Sequence, residues 1–239
     1  METEKIQKLQ KMIEESENIV FFGGAGVSTE SGIPDFRSQD GLYRQKYPYP
    51  PETILSRTFY DKNPDWFFRF YREKMICLEA KPNAAHEKLA ELERAGKLKA
   101  VITQNIDGLH TAAGSHCVLE LHGSVHRNYC RKCGALYDAE WILRQTDVPV
   151  CSCGGRVKPD VVLYEEQLDN TAVENAIAAI ANADTMIIVG TSLVVYPAAS
   201  YIHYFNGDNL VVLNKSETSC DNMTQLAIYD DIVNIVEQL

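Results

Sequence analysis

The chain reads as an α/β protein: a parallel sheet whose segments are interrupted by a smaller lobe that four cysteines hold together. Three observations carry that reading. Apolar, strand-like runs alternate with helical patterns along the chain, the mark of parallel strands joined by crossover helices. One such run, residues 19–22, passes directly into the turn Gly23-Gly24-Ala25-Gly26. Cys130-x-x-Cys133 and Cys151-x-Cys153 form two tight pairs with seventeen residues between them, a spacing that in a reducing compartment reads as a metal site before disulfides. At 239 residues and 45% apolar, the chain suits one large domain, or one domain with a modest insert, around a substantial core.

Taken in order, Ile6, Leu9 and Ile13 lie on one face of an opening helix. Residues 19–22 have the character of a strand buried on both faces. After the glycines, Ser28 or Thr29 begins a helix whose free N–H groups face the turn, an arrangement suited to phosphate. Gly24-x-Gly26 is present, but Thr29 replaces the third glycine of the dinucleotide fingerprint. Pro34 stops any helix and leaves Asp35, Phe36 and Arg37 on one loop. Residues 41–51, dense in Gly, Tyr and Pro, read as a loop, and 61–79 as an aromatic-rich helix. Pro82-Asn83 opens a helix with Ala85, Leu89 and Leu92 on one stripe, ending near Gly96. Residues 100–103 and 118–121 are the next strands, and the cysteine ribbon occupies about 125–158. A strand at 161–164 and a helix at 172–181 follow. Strands at 185–190 and 210–214 flank a helix from about Ala198, and a last helix starts near Ile232. Open parallel sheets bind ligands at the carboxyl ends of their strands. Residues 23–29, 104–107, 190–192 and 214–216 all sit at such ends, so a shared pocket is expected there.

The net charge, 23 − 33 = −10, argues against general nucleic-acid binding and mildly favours basic partners. No apolar run is long enough to span a bilayer, and the polar N-terminus is no secretory signal, so a cytoplasmic protein without membrane contact is expected. Four thiolates from Cys130, Cys133, Cys151 and Cys153 fill a tetrahedral shell, so one zinc held there is structural. Gly134 and Gly154 follow each pair and let the backbone fold around the metal. Cys77, Cys117 and Cys220 are isolated and read as ordinary thiols.

Gly24-Ala25-Gly26-Val27-Ser28 followed by Gly32-Ile33-Pro34-Asp35-Phe36-Arg37 closely resembles the opening signature of the sirtuins, NAD-dependent protein deacylases. The resemblance resumes at Thr103-Gln104-Asn105-Ile106-Asp107-Gly108-Leu109-His110, at His122-Gly123-Ser124 and at Gly190-Thr191-Ser192-Leu193, almost from end to end of the chain. It implies a Rossmann-like parallel sheet with an inserted zinc-ribbon and helical lobe, in one catalytic domain over 1–239. The large NAD-binding lobe would comprise about 1–40, 80–124 and 159–239, and the small lobe 41–79 and 125–158. It further implies that the acyl oxygen of acetyl-lysine attacks the nicotinamide ribose of NAD. Nicotinamide leaves, an alkylimidate forms, and the acetyl group ends on ADP-ribose.

By that resemblance His122 is the general base, a task suited to a neutral imidazole. Asn105 holds a ribose hydroxyl or water, and Asp107, with the Ile106 backbone, the nicotinamide carboxamide. Phe36 covers the cleaved ribose; Arg37 and the turn Gly24, Ala25, Gly26, Ser28, Thr29 hold phosphates; Gln104 holds a ribose. Gly190, Thr191, Ser192 and Asn214 contact the adenosine half, with Asp231 and Ile232 aligning more loosely beside adenine. Val161, Val162, Leu163 and Tyr164 resemble the strand that pairs with substrate peptide. His110 is read as bonding neighbouring backbone, and His86, His116, His126 and His203 as surface or structural.

Two other classes fit parts of the pattern. A zinc-containing nicotinamide dehydrogenase requires a second strand ending in a carboxylate about twenty residues on, where this chain has Arg44-Gln45-Lys46-Tyr47-Pro48. A nucleic-acid-binding zinc ribbon requires a basic surface, yet residues 123–160 hold six Lys/Arg against four Asp/Glu. Within the deacylases, succinyl preference is associated with a Tyr-x-x-Arg pair. This chain has Tyr71-x-x-Lys74, with Arg69 and Arg72 nearby, so acetyl is the expected acyl group.

Overall fold

The computed structural model describes residues 2–38 and 40–239. Along the chain run strands β1 (Ile19–Gly23), β2 (Leu98–Thr103), β3 (Val118–Glu120), β4 (Gly123–Cys130), β5 (Leu136–Tyr137), β6 (Val157–Val161), β7 (Thr185–Val189), β8 (Asn209–Asn214) and β9 (Leu226–Tyr229). The helices are α1 (Glu2–Glu15), α2 (Pro51–Ile54), α3 (Arg57–Lys62), α4 (Pro64–Phe70), α5 (Ala84–Arg94), α6 (Leu109–Ala112), α7 (Ala139–Arg144), α8 (Asn170–Ala181) and α9 (Ile232–Val236). Six strands form one parallel sheet in the order β3-β2-β1-β7-β8-β9. The other three form an antiparallel sheet in the order β5-β4-β6.

The large sheet is covered on both faces, which is why its strands read as continuous apolar runs. Side chains alternate along β1: Ile19 and Phe21 join a core with Leu9 of α1, Leu89 of α5 and Ile235 of α9. Val20 and Phe22 join a second core with Ala176 and Ile180 of α8 and the turn around Ala198. A third core lies between the aromatics Phe59, Tyr60, Phe67, Phe68 and Tyr71 and the small sheet's Val157 and Val161.

From β1 the chain passes to β2 and β3 on one side, and after the small sheet it returns through β7 to β8 and β9 on the other. The reversal lies between β1 and β7, and a crevice opens at their carboxyl ends. Backbones touch there: the Gly24 amide donates to the Val189 carbonyl (3.1 Å) and the Gly26 amide to the Gly190 carbonyl (2.8 Å). A Cβ on Gly26 would lie 2.7 Å from the Gly190 Cα, and one on Gly190, at φ +57°, 2.5 Å from the Val27 amide nitrogen.

Several elements depart from expectation. No α-helix follows β1; two successive 3-10 turns, Ala25–Val27 and Thr29–Ser31, take its place, so the crevice is floored by loop amides rather than a long helix terminus. The expected helix over 61–79 begins earlier, at Arg57, and is broken at Asn63-Pro64, because proline starts a new helix and cannot continue the old one. It ends in a π-helical turn, Tyr71–Met75. The expected strand over 161–164 belongs to β6 only through Val161; beyond it the backbone is extended and Tyr164 bridges Ser56. The segment from Ala198 is 3-10 rather than α-helical. Strand β9 was not anticipated: Leu226-Ala227-Ile228-Tyr229 is short, and pairing with β8 makes it a strand.

The glycine contact at the crossover yields a stability test. Gly190→Ala should lower the unfolding free energy by about 3 kcal/mol or more, combining left-handed backbone with a backbone collision. Gly96→Ala, also left-handed at φ +74° but facing open space, should cost only about 1 kcal/mol. Equal losses in denaturant titrations of the two variants would show that the crossover contact is not tight.

Candidate active site

Two adjoining hollows, of about 240 and 370 Å³, open at the carboxyl ends of the parallel strands. Ala25, Phe36, Arg37, Gln104, Asn105 and His122 line both and form their common wall. Gly24, Gly26, Thr29, Gly190, Thr191, Ser192, Asn214 and Ile232 line only the second hollow. Ser28, Ile106, Asp107 and the whole segment Val161, Val162, Leu163 and Tyr164 line only the first. The strand-end rule thus gathers nearly every residue singled out from sequence. Asp231 is the exception: it pairs with Lys215, while its neighbours Asp230 and Ile232 face the hollow.

His122 stands where β3 has ended and β4 begins. Gly123 next to it has φ +75°, and a Cβ there would lie 1.9 Å from the Asp160 carbonyl oxygen, so only glycine permits this turn. The His122 Nδ1 lies 2.9 Å from the Gln104 carbonyl. A carbonyl only accepts, so Nδ1 carries the proton and Nε2 is the ring's basic nitrogen. Burial lowers the imidazole's pKa below its usual value, with the Gln104 carbonyl opposing the shift. The ring is therefore neutral near neutral pH and ready to take a proton.

Ser28 organises the opposite wall. Its hydroxyl donates to the Asp107 carboxylate (2.7 Å) and accepts from the Asn105 amide nitrogen (3.0 Å). Asn105 therefore spends its NH₂ group on Ser28 and keeps its carbonyl oxygen for an incoming hydroxyl or water. Asp107 also accepts from the Leu109 amide (2.9 Å) and its carbonyl from the His126 ring (2.9 Å). Beneath lie two buried imidazoles. His86, 0% exposed, accepts the Asn83 amide at Nδ1 (3.2 Å), capping α5, with Nε2 3.5 Å from Ser28. Burial pushes its pKa down to about 4, against the pull of Asp107. His110, 2% exposed, bonds no backbone among the described residues, contrary to expectation; neither ring nitrogen has a partner among them, and the ring packs against Phe21 and His86. Burial lowers its pKa to about 3.

Arg37 forms no ion pair among the described residues and lies 5.2 Å above the Tyr43 ring, a free cation beside the second hollow. The segment after β6 is held from both sides. The Val162 amide donates to the His122 carbonyl (3.0 Å), and the Tyr164 amide to the Leu55 carbonyl (3.0 Å). Lys158, its side chain 5% exposed, donates to the Val161 carbonyl (3.0 Å) and pairs with Glu166 (2.9 Å), which Arg57 also grips (2.8 Å). Sequence reading missed Lys158, Glu166 and Ser28's role as a hub, because each acts through a partner far along the chain. Asn83 ahead of His86 was the one available signal, as a helix cap.

Away from the hollows, Cys130, Cys133, Cys151 and Cys153 bring their sulfurs within 4.8 Å of one another. The Cys130–Cys153 and Cys133–Cys151 sulfurs are 3.5 and 3.6 Å apart. That is far beyond a disulfide bond and close to the roughly 3.8 Å edge of a tetrahedral zinc–thiolate shell. The Lys132 amide points at the Cys130 sulfur (3.4 Å), as a hydrogen-bond donor to a metal-bound thiolate does. The residues fit a structural zinc: four sulfur ligands leave no open position, and none of the four lines either hollow.

Residues 24–197 match the model of the Sir2 family. A Clostridium acetobutylicum protein named NAD-dependent protein deacetylase is 58% identical over 238 residues, covering 98% of this chain and 97% of its own. A Staphylococcus aureus protein of the same name is 43% identical, covering 98% of this chain and 97% of its own. Among solved structures, Sir2 with deacetylated p53 peptide and 3′-O-acetyl ADP ribose superposes with TM-score 0.91 at 38% identity, over 98% of this chain and 96% of that one. Sir2 with p53 peptide and NAD⁺ superposes with TM-score 0.87 at 40% identity, over 98% and 96%.

The metal assignment is tested by elemental analysis, which should find one zinc per chain. Cys130→Ser and Cys151→Ser should each lose the metal and lower the melting temperature, since site and small sheet form together. A metal-free protein with unchanged melting would contradict it.

Proposed function

The chain belongs to the Sir2 family and is an NAD-dependent protein deacetylase, and from that premise we propose how its residues divide the work. NAD lies across the second hollow, with its nicotinamide end reaching past the common wall into the first. Its phosphates rest against the turn of Gly24, Ala25, Gly26, Ser28 and Thr29 and near Arg37, which has no ion-pair partner among the described residues, while Gln104 takes a ribose hydroxyl. Gly190, Thr191, Ser192 and Asn214 receive the adenosine half, with Asp231 and Ile232 at its edge. Asp107 and the Ile106 backbone hold the nicotinamide carboxamide, and Phe36 covers the ribose once nicotinamide has gone. The acetyl-lysine of a protein substrate enters the first hollow along Val161, Val162, Leu163 and Tyr164. The large lobe (1–40, 80–124, 159–239) binds NAD, and the small lobe (41–79, 125–158) holds zinc and closes the peptide side. We place the enzyme in the cytoplasm, acting on proteins and not on nucleic acid; no helix among the described residues is long and apolar enough to cross a membrane.

The observation that carries the catalytic part is the tautomer of His122. With Nδ1–H given to the Gln104 carbonyl (2.9 Å), Nε2 is free to draw a proton from a ribose hydroxyl at the wall shared by both hollows. Asn105, its amide turned to Ser28, offers its carbonyl oxygen to the same hydroxyl or to water. Mixing acetyl-lysine peptide with enzyme, with and without NAD, and following products by mass spectrometry tests the reaction. Nicotinamide and O-acetyl-ADP-ribose should form one for one with deacetylated peptide, and acetate released without NAD would overturn it.

His122→Ala should cut turnover by about a hundredfold or more while the variant stays folded. Because burial lowers the His122 pKa and the base works neutral, kcat/KM should hold as pH falls through about 6.5, the ordinary histidine value, and decline only below it. An acid limb above that value points to another base.

The acyl preference follows from the wall of the first hollow. Tyr71 is 0% exposed and stacked on Phe67, inside the third core rather than lining the hollow. Arg69 pairs with Glu73 at the surface, and Arg72 donates to the Thr146 and Asp147 carbonyls, so neither guanidinium is offered to an acyl group. Of Arg69, Tyr71, Arg72 and Lys74, only Lys74 lines the first hollow, beside the apolar Leu42, Met75 and Ile106, and a lysine lacks the planar fork that grips a carboxylate. Matched peptides should show higher kcat/KM for acetyl-lysine than for succinyl-lysine; the reverse order would refute this assignment.

A further inference from the structure

Tyr43 sits where the cofactor loop meets the peptide segment, and its contacts reach both. Its amide donates to the Phe36 carbonyl (2.9 Å), so the turn carrying it is tied to the loop of Phe36 and Arg37. Its ring meets Phe36 edge-on, centroids 5.4 Å apart, and lies under the Arg37 guanidinium at 5.2 Å. Its hydroxyl is 2.6 Å from that of Tyr164, one donating to the other across 121 residues of sequence. Tyr164 is anchored in turn, its amide bonded to Leu55 (3.0 Å) and its carbonyl accepting from Arg57 (2.9 Å). Among the described residues no other side-chain hydrogen bond joins residues 33–45 to residues 161–168.

Phe36 and Arg37 line both hollows, whereas Tyr43 and Tyr164 line the first. The two rings therefore stand between the space assigned to the acylated peptide and the groups assigned to NAD. Burial and the partner hydroxyl both push the Tyr43 pKa well above its usual value, so the bond persists at any working pH.

We propose that Tyr43 and Tyr164 are positioning residues: their hydroxyl pair couples a peptide seated on residues 161–164 to the grip of Phe36 and Arg37 on NAD. The proposal rests on the division of the hollows given above. A peptide that orders Tyr164 also orders Tyr43, and through its ring and amide the pose of Phe36 and Arg37. Linkage then requires reciprocity: NAD tightens peptide by the factor by which peptide tightens NAD. One neutral hydrogen bond supports a factor of about three to ten.

The test uses ADP-ribose, which binds without reacting, and an acetyl-lysine peptide, each titrated calorimetrically with and without the other. Wild type should show ADP-ribose bound several-fold more tightly when peptide is saturating. Tyr43→Phe, Tyr164→Phe and the double variant keep the rings and should all lose that enhancement to the same extent, because removing either hydroxyl removes the same bond. A residue that merely supports the fold would weaken each ligand alone and leave the coupling factor intact. No coupling in wild type, an unchanged factor in either single variant, or a double variant whose loss is the sum of the singles overturns the proposal. If wild type binds neither ligand, the functional reading falls with it; if wild type binds both and deacetylates while the coupling ignores the hydroxyls, only the tyrosine pair is refuted.

Discussion

The close approach of two backbones at the sheet crossover is the constraint on which the site depends. Gly26 and Gly190 leave so little space between the loops after β1 and β7 that a single Cβ on either would strike main-chain atoms. Because these strands are neighbours at the point where the connection reverses, their loops diverge above the contact and leave a crevice between them. The floor of the crevice is main chain, so it carries little side-chain bulk, and the Gly24 and Gly26 amides there are held by the Val189 and Gly190 carbonyls. That leaves room for the phosphates of a dinucleotide even though no long helix begins there, and the short 3-10 turns carry no sizeable macrodipole.

Around that floor, hydrogen bonds with a forced direction do the positioning. The Gln104 carbonyl can only accept, which leaves Nε2 of His122 basic. The Asp107 carboxylate can only accept, which makes Ser28 donate to it and receive from Asn105. The His122 carbonyl in turn accepts from the Val162 amide, which ties this histidine to the segment after β6. Below them, His86 and His110 add bulk without charge, since burial keeps both neutral. Two orphaned nitrogens on His110 are an unusual feature for a buried polar ring, and the described structure offers no partner that accounts for them.

The small sheet contributes support at a distance. Its cysteines stay outside both hollows, yet β6 runs from their neighbourhood straight into the peptide segment, and buried Lys158 on that strand joins Glu166 and Arg57. A lysine buried this deeply is tolerated because a carboxylate and two carbonyls surround it. Zinc would then act on chemistry only through this chain of contacts, by fixing where β6 ends.

Much of this was legible from the residues alone. The strand ends, the glycine turn, the cysteine pairs and the motifs through His122 were readable because each is local: a few adjacent residues whose types have few uses other than the one found. The apolar run of β1 and the stripe of α5 depend only on period and burial, which sequence carries directly. What failed was whatever required a distant partner. The loop after β1 became 3-10 turns because it must meet Gly190, and β9 is a strand because β8 lies beside it. The reach of β6 stops at Val161, since beyond it the backbone amides are claimed by His122 and Leu55. Ser28, Lys158 and Tyr43 carry no local mark of their roles. The sequence by itself determined the fold class and the cluster of four cysteines and singled out His122; the tertiary structure alone decided which nitrogen of that ring is free and which side chains hold it, because direction and distance between remote groups exist only once the chain is folded.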